Sequence, residues 1–269
     1  MKRIVKKFSG TGDRKVLILS GIHGNELTPI AVTSEIISQF KVENFLPGIK
    51  ILTIVAGYAE KAIKKNIRSN TFDPNREIEN RKELSGLRKL ILQNDIVIDL
   101  HASSNCSEFV SIDNDEYANK ILNWCKSANV PYLIREFDEV TVKKYSLKNG
   151  KIGITMEMPG LNLINWDSVK IVISYITKLL SNLAALNDGT QNNIKLVEEH
   201  NSEQEGIIIL SKKLGDFIEQ GNELARIVDY EFNTLSTIKN HAAGFLLVGP
   251  PNSFVDKNEC VLMFQPIIE

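Results

Sequence analysis

The 269-residue chain is 43% apolar and 24% charged, an ordinary globular composition, long enough for one large domain or for a main domain and a small one. A formal net charge of −1 supplies no basic excess and argues against a nucleic-acid binder, and no run approaches the roughly 18 apolar residues of a membrane span. The basic start, MKRIVKKFSG, lacks the apolar stretch of a secretory signal, and three scattered cysteines, Cys106, Cys125 and Cys260, fit a reducing, cytoplasmic setting rather than a disulfide framework.

Taken in chain order, RIVKKF and KVLILSG read as short apolar strands separated by GTGDR. TPIAVTSEIISQF carries apolar residues at helical spacing, with Thr28 expected as its cap and Pro29 as its first helical residue. GIKILTIVAG is a second apolar strand after a Pro-Gly turn. Residues 56–80 are polar and aperiodic, so a long loop is expected there. ELSGLRKLILQ reads as helix, DIVIDLHAS as a buried strand, DEYANKILNWCKSA as an amphipathic helix and KIGITMEMPG as another strand. NWDSVKIVISYITKLLSNLAAL is a long helix, with apolar residues at Val169, Val172, Ile173, Ile176, Leu179 and Leu180. Strands alternating with helices predict an α/β sheet with helices on both faces.

After residue 186 the pattern changes. NDGTQNN is a polar, turn-rich linker, and beyond it the helical period disappears. IKLVEE, GIIILS, ELARIVD, LSTIKN, GFLLVG and CVLMFQ follow as short strand-like runs punctuated by glycine and proline. The expected organisation is an α/β domain over residues 1–189 and a small all-β domain, barrel or sandwich, over residues 190–269.

The candidate chemistry gathers at strand ends. His23 and Glu26, in SGIHGNEL, stand three residues apart just after an apolar strand, and at a helix start that spacing puts both side chains on one face. His101 ends the strand IVIDLH, and open α/β sheets collect functional groups beyond the carboxyl ends of their strands. Two imidazoles, one carboxylate and a fourth position left for water form a recognised catalytic zinc set. Taken singly, an H-x-x-E is more often accidental and a histidine after a strand is as readily a satisfied surface or core group. Asp99, two residues before His101 on the same strand face, is suited to hold that imidazole through its second nitrogen. Glu157, between Met156 and Met158 at a strand end, is a candidate general base if partial burial raises its pKa, or a strand-end acid turned to solvent. The polar loop RSNTFDPNRE offers Arg68, Asn75 and Arg76, groups fit to grip carboxylates, or a plain solvated turn. Cys106 reads as a passive thiol, and His200 and His241 as ordinary surface or packing residues.

GIHGNE, RSNTFDPNR, DLH and TMEMPG, in that order and with Arg68 seven residues before Asn75, resemble the succinylglutamate desuccinylase and aspartoacylase family of the zinc carboxypeptidase clan. The motifs span residues 21 to about 160, and the β-rich tail is placed like that family's C-terminal domain. The resemblance implies a zinc-carboxypeptidase-like α/β fold, a central mixed sheet with helices on both faces followed by a small all-β C-terminal domain. It implies one Zn2+ per chain on His23, Glu26 and His101. Glu157 would activate the attacking water and then protonate the leaving nitrogen, Arg68 would polarise the scissile carbonyl, and Asn75 and Arg76 would bind a substrate carboxylate. The implied activity is hydrolysis of an N-acyl amino acid by metal-activated water, with no nucleic-acid or membrane partner; homo-oligomerisation stays open. A metallocarboxypeptidase acting on a short peptide and a non-catalytic small-molecule-binding protein of the same fold are the alternatives. The chain departs from the family where aspartoacylases carry a further arginine before the catalytic glutamate: here Lys143, Lys144, Lys148 and Lys151 stand instead, and nothing in the sequence chooses among them. A substrate-closing tyrosine has no clear counterpart; Tyr132, Tyr145 and Phe254 stand in the neighbourhoods where one is sought.

Overall fold

A computed structural model describes residues 4–39, 48–57, 77–113, 117–130, 132–135, 141–187, 198–250 and 254–266. The strands of the first unit are β1 (Ile4–Ser9), β2 (Arg14–Ser20), β3 (Ile49–Ala56), β4 (Ile96–Ser103), β5 (Phe109–Ile112), β6 (Leu133–Arg135) and β7 (Ile152–Pro159). They form one seven-stranded sheet in the order β1-β3-β2-β4-β7-β5-β6. β3, β2, β4 and β7 run parallel, while β1 is antiparallel to β3 and β5 antiparallel to β7, so the sheet is mixed. Val16, Leu17, Ile18 and Leu19 are all 0% exposed, which is why the central strands read as unbroken apolar runs: both faces are covered.

Among the described residues five α-helices do the covering: α1 (Leu27–Gln39), α2 (Ser85–Leu92), α3 (Ala118–Ser127), α4 (Val142–Lys148) and α5 (Trp166–Ser181). Val16, Ile18, Ile54, Ile98 and Ile154 share a core with Val32 and Ile36 of α1, Ile121 of α3 and Val172 and Ile176 of α5. On the opposite face Leu17, Leu19, Val55 and Val97 pack with Leu87 and Ile91 of α2 and Val142 of α4. The start of α1 differs from expectation. The helix begins at Leu27, so Thr28 lies inside it and is no cap. The Leu27 and Thr28 N–H groups donate to the carbonyls of Leu161 and Gly160, and tertiary contact does what a capping side chain would have done. Three described elements of this unit have no counterpart in the sequence reading: β5, β6 and α4.

The C-terminal unit contains β8 (Glu198–Asn201), β9 (Gly206–Leu210), β10 (Phe217–Ile218), β11 (Glu223–Val228), β12 (Thr234–Lys239), β13 (Gly244–Val248), β14 (Phe254–Val255) and β15 (Cys260–Pro266). They form two four-stranded antiparallel sheets, β10-β13-β15-β8 and β12-β11-β9-β14. Both sheets contribute to one core of Ile208, Leu224, Ile227, Leu246, Leu262 and Phe264. The expected division at residues 189 and 190, and most of IKLVEE, lie outside the described residues.

The two units meet beside the carboxyl end of β4. The Ser107 N–H donates to the Leu247 carbonyl (2.9 Å) and the Gly249 N–H to the Asn105 carbonyl (3.0 Å). The Asn105 amide donates to the Pro250 carbonyl at 3.0 Å, and Cys106 forms an antiparallel bridge with Val248. No helix among the described residues is long and apolar enough to cross a membrane.

Candidate metal centre

Gly21 opens the turn that follows β2. Its φ of +69° is in the left-handed region, and a Cβ there would lie 2.8 Å from the Gly57 Cα, so glycine is required on both counts. The turn carries His23, and the Glu26 N–H closes it on the His23 carbonyl at 3.3 Å, immediately before α1. The i, i+3 spacing brings His23 Nδ1 to 2.9 Å from Glu26 Oε1. β4 runs parallel beside β2 and delivers His101, with its Nδ1 3.3 Å from Glu26 Oε2. The two imidazole rings meet edge to face, 5.0 Å between centroids. One potential ligand atom from each of His23, Glu26 and His101 lies within 4.8 Å of the others, and this is the one such group of three among the described residues.

The donor set fits a divalent cation. Ligands around a tetrahedral zinc stand about 3.4 Å apart, given bonds of about 2.1 Å; the two contacts to Glu26, 2.9 and 3.3 Å, both lie just inside that separation. Glu26 Oε2 is buried and has no hydrogen bond, an arrangement that is expensive unless a positive charge compensates it. The surroundings favour such charge. Burial pushes the His101 imidazole towards neutrality, but the Asp99 and Glu26 carboxylates outweigh it and hold its pKa well above the ordinary 6.5. Burial likewise opposes ionisation of Glu26, yet His101 and His23 keep its pKa below the ordinary carboxylate value.

Asp99, fully buried, sits where the sequence placed it. Its Oδ2 lies 2.8 Å from His101 Nε2, leaving Nδ1 to face Glu26. Glu157 is the register neighbour of His101 on the adjacent strand β7, and it is half-buried on the same sheet face. The flanking methionines do not bury it: Met156 and Met158 belong to the core on the opposite face. Cys106 is buried, and burial together with the carboxylates of Glu157 and Glu108 pushes its thiol far up, so it stays protonated and passive.

Arg68, Asn75 and Arg76 lie outside the described residues. The four lysines before Glu157 separate clearly. Lys144 pairs with Asp113 (3.2 Å), Lys148 with Glu79 (2.9 Å) and Lys151 with Asp95 (3.8 Å). Lys143 is fully buried and donates to Ser111 Oγ at 2.5 Å. Ser111 is the register neighbour of Thr155, two residues before Glu157, so this ammonium lies on the sheet face that carries the site. The sequence held no signal for that burial; the apolar spacing of VKKYSLK is too short to orient a helix. The Tyr132 hydroxyl donates to the Gly215 carbonyl, Tyr145 packs against the Leu17 and Val97 core, and Phe254 stacks on Tyr230.

Comparison with known proteins identifies the family and the fold. Residues 12–183 match the model of the succinylglutamate desuccinylase/aspartoacylase catalytic domain. The chain is 22% identical to the N-α-acetyl-L-2,4-diaminobutyric acid deacetylase of Halomonas elongata, over 99% of this chain and 85% of that protein. Its fold superposes on a succinylglutamate desuccinylase/aspartoacylase from Rhodobacter sphaeroides with a TM-score of 0.78, at 14% identity, covering 98% of this chain and 89% of the other. The product-bound ectoine utilization protein EutE (DoeB) from Ruegeria pomeroyi superposes with a TM-score of 0.73, at 18% identity, covering 98% and 88%. At such identities the superpositions speak to the fold, while the family model covers well over half the chain. The chain therefore belongs to the succinylglutamate desuccinylase/aspartoacylase family.

Proposed function

We propose that this protein is a zinc-dependent amidohydrolase that cleaves the amide bond of an N-acyl amino acid, with one zinc per chain on His23, Glu26 and His101. The observation that carries the reading is the meeting of two imidazoles and an acid from separate segments, with Glu157 in register beside His101. A relative whose name is that of a deacetylase of an N-acetylated amino acid supports the reaction class.

When bound, zinc supplies a Lewis acid for the amide carbonyl and lowers the pKa of water at the site. The chain's own groups do the rest. Asp99 holds His101 in one tautomer and one orientation. Glu157 accepts a proton from the attacking water and returns it to the amide nitrogen as the C–N bond breaks, so that water and amide become a carboxylic acid and a free amine. Arg68 steadies the oxyanion, and Asn75 with Arg76 holds the carboxylate of the amino acid, in line with the family motif that contains them. We place residues 1–189 in the hydrolytic domain and 190–269 in an all-β domain beside it. The three cysteines, all free, suit a cytoplasmic enzyme.

The test is a substrate panel on the zinc-loaded protein, containing N-acyl amino acids and dipeptides. Release of free amino acid from N-acyl amino acids supports the proposal. Cleavage of dipeptides alone would move the assignment to a carboxypeptidase, and no turnover with stoichiometric zinc would leave a binding protein.

A further inference from the structure

Residues 229–233 form the tip of the hairpin between β11 and β12. Asp229 builds it: its Oδ1 accepts the N–H groups of Glu231 (2.8 Å) and Asn233 (2.9 Å), and its carbonyl accepts the Phe232 N–H (3.1 Å). Tyr230 on this tip is 79% exposed and Phe232 69%. Phe232 has a φ of +64°, in the left-handed region, where a bulky side chain is rare. The chain holds a phenylalanine there and leaves its ring in water. The adjacent sheet face continues the apolar surface. Ile208, Ile227 and Val255 enter the sandwich core, so their strand neighbours Ile207, Ile209, Arg226 and Phe254 face outward. Register sets them side by side: Phe254 beside Ile207, Ile209 beside Arg226, and Arg226 beside Thr237. The Tyr230 ring stacks on Phe254, 6.3 Å between centroids, which joins the tip to the face. The solvent side of an antiparallel sheet is ordinarily polar, and an apolar exception this large marks a contact surface.

We propose that this tip and face are the interface between two copies of the chain, related by a two-fold axis. The inference stands apart from the hydrolase reading. A tip beside a flat face is self-complementary under such an axis, because the tip of each copy lies on the face of the other. Charge fits the same arrangement. The tip carries Asp229 and Glu231, while the face carries Arg226 and, two residues beyond Thr237 on β12, Lys239, so acid meets base in both directions. Within one chain Arg226 pairs with Glu223 at 3.0 Å, which lays its guanidinium along the face. The area is sufficient. With the exposed polar residues of the tip and of β12 around them, Tyr230, Phe232 and Phe254 offer roughly 800 Å² per copy, the size of a stable standard interface. Aromatic rings with an arginine beside them are also the composition that protein interfaces favour.

The experiment is sedimentation equilibrium of the full chain, over a concentration series ending at about 50 μM. The expected result is a reversible monomer–dimer equilibrium with twice the chain mass at the upper end. Phe232→Gly and Tyr230→Ser, with folding checked by circular dichroism, are each expected to raise the dimer Kd at least about thirtyfold, the loss of one interface hot spot. Phe232→Gly is the cleaner variant, since glycine adopts the positive φ freely and the fold has nothing to lose. A wild-type chain that keeps the mass of one copy throughout overturns the proposal and leaves the face to a different protein. A dimer whose Kd is unchanged in both folded variants overturns it as well, because the two copies then meet elsewhere.

Discussion

In the sheet unit Glu26, Asp99, His101, Asp113 and Lys143 are all at most 4% exposed, whereas the buried polar residues described in the C-terminal β unit, Ser202 and Asn240, carry no charge. The Asn240 amide is spent on a turn, donating to the carbonyls of Glu219 and Ala242. Charge is expensive to bury, and a fold that needs only to cohere avoids it. The β unit holds itself together with Leu246, Leu262 and Phe264, while the sheet unit, with an ample apolar core already, carries ionisable groups in its interior, among them Glu26, Asp99 and His101 towards the ends of β2 and β4. On the proposed reading, the contrast puts chemistry in the first unit and support in the second.

That assignment can be broken by substitution, beginning with the largest effect. Glu157→Gln is expected to lower kcat by about a thousandfold, in the range of lost general acid–base catalysis, while zinc content by mass spectrometry stays at one per chain. Activity near wild type would remove the mechanism, since no second carboxylate is assigned as base. In the β unit, Leu246→Ala opens a cavity at a fully buried site and is expected to reduce unfolding free energy by about 2–5 kcal/mol, read by urea titration. The zinc affinity of the folded variant is expected to be unchanged; a parallel loss would show that the units do not divide the work.

Asp99→Asn sharpens the comparison from within the site. Without the acid on Nε2, His101 loses its fixed tautomer, and zinc affinity measured against a competing chelator is expected to fall about 10–100-fold. The pH dependence follows from the two perturbed groups. His101 has its folded pKa raised above 6.5, so in the metal-free protein its contribution to stability is fully present below that value and is lost as pH rises through the folded pKa. Glu26 has its pKa depressed below 4.5, so its contribution is present above that value and is lost as pH falls through the folded pKa. This cluster therefore stabilises the metal-free protein best between those two ordinary values. If zinc takes the place of the proton on His101, as proposed, the rise in melting temperature on adding zinc is expected to be larger at about pH 8.5 than at about pH 6. A smaller rise at the higher pH would contradict a His101 ligand. The smallest effects belong to the β-unit histidines: His200→Ala and His241→Ala are expected to leave zinc stoichiometry unaltered.

Much of this was legible in the chain because long apolar strands announce themselves and their ends are where an α/β sheet exposes function. His23, Glu26, Asp99 and His101 were readable on that ground, and the structure brings them together. The elements that escaped are short. β5 has four residues and β6 three, too few for a period of two to emerge, and both exist by pairing across the sheet. The burial of Lys143 was hidden for a related reason: a charged residue gives no apolar signal, and only Gly153 opposite, where a Cβ would lie 2.7 Å from the Lys143 carbonyl, lets α4 lie so close to β7. The expected cap at Thr28 failed because Gly160 and Leu161, more than 130 positions away, satisfy the helix start. Arg68, Asn75 and Arg76 rest on their motif alone, outside the described residues.

Crystals of the zinc-loaded protein, with anomalous scattering recorded on both sides of the zinc edge, address the central assignment most directly. The account predicts a single strong peak within about 2.3 Å of a nitrogen of His23, a nitrogen of His101 and an oxygen of Glu26. A peak on other residues, or none there despite bound zinc in solution, would contradict it.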